Sequence, residues 1–117
     1  MLLLELSFCS IVEPSKAPDA FTVTAKTSTS ITASWQLPPE DSRNGVITGF
    51  KLFYQKKGSV GLRSQLTINS GSTLTKVVTG LDKYTEYDFQ VLAFTSVGDG
   101  PKTSVKSETT EEDGKKY

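Results

Sequence analysis

The sequence predicts an all-β sandwich of about seven short strands. Apolar and polar residues alternate in short runs, turn signals recur at about 8–12-residue spacing, and no stretch holds a helical period. Abundant Thr and Ser beside recurring Val, Ile, Phe and Tyr favour strands over helices.

Each element follows in order. Pro14 and Pro18 bracket an entry segment, because proline fixes φ and cannot donate to a ladder. Phe21, Val23 and Ala25 alternate with threonines as a half-buried strand, and residues 26–30 turn the chain. Ile31, Ala33 and Trp35 alternate again and share the inward parity until Pro38 and Pro39 stop the strand. Residues 41–45 end in Asn44 and Gly45, a pair that readily supplies positive φ. In residues 47–55, Phe50, Leu52 and Tyr54 face in and Phe53 faces out. Residues 58–63 form a glycine-containing loop, Leu66 and Ile68 mark a short strand, and residues 69–71 turn. Residues 74–79 are a further strand, ended by Gly80 and Leu81. The clearest strand alternates Tyr87, Phe89, Val91 and Ala93 inward, which sends Leu92 and Phe94 outward. Residues 98–101 make a tight turn before a last strand over 103–110.

The expected organisation is an N-terminal extension at 1–13, one domain at 14–110 and a charged tail or linker at 111–117. The extension is apolar, but it lacks a basic leader region and Glu5 interrupts it. It reads as a residual stretch of a longer parent, or a start peculiar to this piece, ahead of a signal peptide; its apolar side chains need cover, for example as an extra edge strand.

These landmarks resemble, in order, the fibronectin type III domain. Pro14, Pro18 and Phe21 match its proline-led first strand; Ile31, Ala33, Trp35 and Pro38 match its second. Gly45, Ile47, Phe50, Leu52 and Tyr54 are similar to its third strand, with Phe50 where the family usually has Tyr. Leu81, Thr85 and Tyr87 resemble its tyrosine corner; Val91, Ala93, Gly98, Gly100 and Pro101 resemble its last hairpin. Lys83 and Tyr84 replace the usual Pro and Gly, and Thr95 replaces Asn, which affects loop shape rather than fold. The resemblance implies a seven-stranded immunoglobulin-like sandwich with Trp35, Leu81, Tyr87, Tyr54 and Val91 in its core. It also makes the strands of Phe53 and of Leu92 and Phe94 neighbours, so these three residues are expected to form one exposed apolar interface patch.

Thirteen basic and thirteen acidic residues cancel, leaving no whole-molecule field toward nucleic acid or an anionic membrane. With no histidine, the commonest general base and metal ligand is missing. The serines have no motif that activates one, and the adjacent carboxylates at 40–41 and 111–113 lack the facing geometry of acid–base pairs. No catalytic residue, metal ligand or cofactor site is assigned. The single cysteine, Cys9, forms no internal disulfide and reads as an inert filler. Lys56, Lys57 and Arg63 form a small basic cluster with weak polyanion binding as its functional reading and a solvated surface as its bland one. Arg-Gly-Asp is missing, which removes support for that mode of integrin binding.

The expectation is a non-catalytic spacer and protein-binding module, whose partners are adjacent domains and an unidentified protein. The resemblance implies a membrane-anchored, cell-surface adhesion receptor or receptor phosphatase. The alternatives are a cytokine-receptor-like ligand-binding domain, weakened by missing disulfides and Trp-Ser-x-Trp-Ser, and an intracellular, sarcomeric-type scaffold.

Overall fold

The computed structural model describes residues 12–112. Seven strands form two antiparallel sheets: β1 (Asp19–Thr27), β2 (Ser30–Gln36), β3 (Gly49–Lys56), β4 (Ser64–Ile68), β5 (Thr75–Val78), β6 (Glu86–Phe94) and β7 (Lys106–Thr109). One sheet runs β1-β2-β5; the other runs β4-β3-β6-β7. The expected all-β, seven-stranded immunoglobulin-like sandwich is the fold observed.

Pairing register fixes which side chains meet. Phe50, Leu52 and Tyr54 lie opposite Ala93, Val91 and Phe89 across β3 and β6. Side chains directly opposite share a face, so this inward row joins Ile31, Ala33, Trp35 and Val78 of the other sheet in one core. Trp35 packs at 5.4 Å, ring centre to ring centre, on Phe50, and Tyr54 stacks at 5.8 Å on Phe89. Among the described residues, the indole Nε1–H of Trp35 has no hydrogen-bond partner. Burying roughly 150–250 Å² of Trp surface at about 25 cal/mol per Å² stabilises by about 4–6 kcal/mol. An unpaired buried donor costs about 1–3 kcal/mol. Burial wins, and the site keeps tryptophan.

The turns follow their residues. After Pro38 and Pro39, a 3-10 turn at Glu40–Ser42 leads to Asn44 (φ 57°) and Gly45 (φ 139°). At the crossing from β5 to β6, Leu81 is buried and the Tyr87 hydroxyl accepts the Asp82 N–H at 2.8 Å. Tyr84 stands where the family prefers glycine and takes φ 46°. It keeps the left-handed geometry of the corner at the steric cost a Cβ brings.

β7 is shorter than the expected 103–110 strand. Thr103 breaks the regular ladder: its N–H donates to the Val91 carbonyl at 2.9 Å while its Oγ1 accepts the Val91 N–H at 3.1 Å. Along the seam between the sheets, the Glu108 carboxylate accepts the Ala25 N–H at 2.8 Å, and the Glu111 N–H donates to the Thr27 carbonyl at 3.2 Å. At the other end the Val12 N–H donates to the Asn44 carbonyl at 3.1 Å, and Pro14 is buried. Val12 and Glu111, placed outside the domain in the sequence reading, thus make backbone contacts with it. Cys9 and the rest of 1–11 lie outside the described residues.

Candidate functional site

The outer face of β4-β3-β6-β7 is built by alternation. With Phe50, Leu52 and Tyr54 inward, β3 turns Lys51, Phe53 and Gln55 outward; β6 turns Gln90, Leu92 and Phe94 outward beside them. Phe53 and Phe94 are half-buried. Phe94 lies over Gly49, where an added Cβ would come within 2.4 Å of its Cζ. The strand glycine is therefore covered by the facing aromatic ring.

Leu92 corrects the sequence reading. It was expected to be exposed with Phe53 and Phe94, and it is 4% exposed. It takes no part in the inter-sheet core. Lys102 sits beside β6 on the side away from β3, next to Thr103, yet its ammonium lies 4.4 Å from the Phe53 ring centre on β3. Its side chain therefore reaches from the far side of β6 to a ring on β3. A lysine stem is apolar and readily covers apolar surface while its charged end stays wet. Lys51 behaves similarly: its Nζ lies 5.7 Å over the Phe94 ring and 2.9 Å from Asp99 Oδ2. The face is thus two aromatic rings under two ammonium groups, with Leu92 sealed between the strands, rather than a bare apolar patch. Cation–aromatic contacts of this kind are worth about 0.5–1 kcal/mol when exposed.

The basic cluster is also rearranged. Lys56 pairs with Asp82, and Lys57 lies 3.6 Å from Asp88. Hydrogen bonding and charge from Asp82 raise the Lys56 ammonium above its ordinary 10.5. Arg63 leaves its two neighbours and donates to Gln90 Oε1 on the outer face. Gln90 is itself held, donating from Nε2 to the Thr103 carbonyl at 2.8 Å.

Of the residues named from sequence, Trp35, Leu81, Tyr87 and Val91 are buried in the core, with Tyr54 partly buried against it. Sequence reasoning missed Lys51, Lys102, Gln90 and Leu62. Leu62 is 100% exposed and Val60 95% exposed, both on the loop between β3 and β4. Two aliphatic side chains in a glycine-containing loop, flanked by Lys57 and Arg63, were the available signal. Among the described residues, no group of three or more His, Cys, Asp or Glu is placed to hold a metal ion.

The fibronectin type III family model matches residues 16–110. The chain belongs to the fibronectin type III family. This domain is 37% identical over 101 residues to chicken (Gallus gallus) Protein sidekick-1, covering 86% of this chain and 5% of that protein. It is 40% identical over 101 residues to human Neogenin, covering 86% of this chain and 7% of that one. Cell adhesion molecule Dscam2 of Drosophila melanogaster matches at 42% over 89 residues, 74% of this chain and 4% of its own length. The chain therefore spans a small fraction of each relative. Among solved structures, the FN5 domain of Drosophila Lar superposes with TM-score 0.67 at 31% identity, covering 84% of this chain and 97% of that one. The fn3 domain of human contactin 1 superposes with TM-score 0.77 at 19% identity, over 88% and 83%, which speaks to the fold alone.

Proposed function

We propose that this fibronectin type III domain is a non-catalytic spacer and protein-binding module of a cell-surface adhesion receptor, with the outer face of β4-β3-β6-β7 as its contact surface. Similarity to sidekick-1, Neogenin and Dscam2 supports the adhesion setting and, with it, an extracellular location and a membrane-anchored parent. The observation that carries the surface assignment is Phe53 and Phe94, half-buried on one outer face beneath Lys102 and Lys51. Aromatic residues are enriched where proteins meet, and a ring already ordered by its neighbours loses little entropy on binding. The basic residues are spread and partly paired, so an extended polyanion is a weaker occupant.

The test is a double substitution, Phe53→Ser with Phe94→Ser, measured for binding to a panel of adhesion-receptor ectodomains and for mass in solution. Loss of a partner seen with the unchanged domain, with circular dichroism preserved, is the expected outcome. Unchanged binding and unchanged mass would remove this face from the function.

A further inference from the structure

One part of that face is shaped more specifically than the rest. Beside Phe53 lies a depression of about 570 Å³ bordered by Leu62, Arg63, Gln65, Gln90 and Lys102. None of these lining residues is acidic. Two carboxylates elsewhere on this sheet's surface are engaged: Asp88 with Lys57 and Ser107, Asp99 with Lys51.

Both cations of the depression are held in place. Arg63 is fixed on Gln90, and Gln90 is fixed on the Thr103 carbonyl. Lys102 is fixed by the Phe53 ring. Each keeps donors to spare, because a guanidinium carries five N–H groups and an ammonium three. The carboxamide of Gln65 on the border donates to Thr67 Oγ1 at 3.2 Å. Leu62 rises on one side at full exposure, with Val60 beside it at 95%. Their loop has Gly58 at φ 83° and Gly61 at φ 101°, left-handed positions where a Cβ would be strained. The glycines thereby hold an apolar lip out from the sheet edge rather than folding it back.

We propose that this depression docks an acidic, apolar segment of a partner protein, with carboxylates set against Arg63 and Lys102 and an adjoining apolar side chain seated on Phe53 and Leu62. Charge complementarity names the anionic part: two positioned cations without a carboxylate in the lining. The exposed aliphatic lip names the apolar part and favours a protein segment over a sulfated glycan, whose surface is polar throughout. The inference rests on the reading of this face as the protein contact and adds the partner's chemistry.

The experiment titrates the isotope-labelled 117-residue chain with a blocked Glu-Leu-Glu-Phe-Glu peptide, with its Gln-for-Glu counterpart, and with a heparin oligosaccharide, followed by NMR. The acidic peptide is expected to move the signals of Phe53, Leu62, Arg63, Gln90 and Lys102. The neutral peptide, and the acidic peptide on Arg63→Glu or Lys102→Glu, should each bind about tenfold more weakly, as loss of a charged contact does. Leu62→Ser should weaken the acidic peptide without changing any heparin response. Equal binding of both peptides, no shift at millimolar acidic peptide, shifts elsewhere on the domain, or heparin bound more tightly through the same residues would each overturn the proposal. If ectodomain binding still depends on Phe53 and Phe94 while the acidic peptide fails, the face survives as the contact and only the partner chemistry falls.

Discussion

The two sheets turn chemically opposite faces to solvent. On β1-β2-β5 the outward positions are mostly hydroxyls: Thr22 and Thr24 stand opposite Ser34 and Thr32, and Ser34 stands opposite Thr75 with its Oγ 3.2 Å from Thr75 Oγ1, with Val77 opposite Thr32 as the aliphatic exception. On β4-β3-β6-β7 they are Phe53, Leu92 and Phe94 with Lys51 and Lys102 laid across them. Alternation is the same on both sheets, since each must give one face to the core. What differs is the remaining freedom. The hydroxyl face carries small side chains, one pair of them joined across the strands, and presents little apolar area that another protein gains by covering. The aromatic face holds apolar area that only its own lysine stems cover, and a partner displacing or extending that cover gains contact. Backbone pattern therefore decides where a face is, and side-chain reach decides what it can do.

Four substitutions sharpen that contrast. Trp35→Ala strikes the core on which both faces stand, and large-to-small changes of this kind cost about 3–5 kcal/mol. Chemical denaturation should show the midpoint collapsing with both sheets melting together; a sheet that survives alone would mean the faces are independently supported. Leu92→Ala tests whether the aromatic face is sealed. A Leu covered as this one is should lose about 2–3 kcal/mol on truncation, whereas Thr32→Ala on the hydroxyl face should stay within about 0.5 kcal/mol. Equal small effects would return Leu92 to the solvent side of the comparison. Tyr87→Phe removes the acceptor for the Asp82 N–H, and should cost about 0.5–1.5 kcal/mol, measured from the shift in denaturation midpoint.

Much of this was readable before any coordinates. Trp35 and the alternation from Tyr87 to Ala93 carry the core because burial of one face imposes a period of two, and that period is local information. Asn44 and Gly45 marked their turn because few residues accept positive φ. Tyr84 was visible as a departure from the family pattern, and the structure shows the same conformation held by a costlier residue. Leu92 was not readable. Its parity says which side of the sheet it takes but not its burial, and contacts across that face, such as Lys102 with Phe53 on β3, join residues distant in sequence. The link from Arg63 to Gln90 is of the same kind. Positions follow from neighbours in the chain; cover follows from neighbours in space.

The carboxylate of Glu108 has a consequence of its own. Where similar domains are strung along one chain, tethered neighbours meet at effective concentrations of order millimolar. An open outer edge on β1 would then be a template for the strand of an adjacent, still unfolded copy. With the Ala25 N–H already occupied by Glu108, an incoming strand must expel a charged group and leave it facing a backbone that no longer bonds it. One side chain at the seam of the sandwich thus guards the β1 edge against such pairing, at a step that precedes any recognition of a partner.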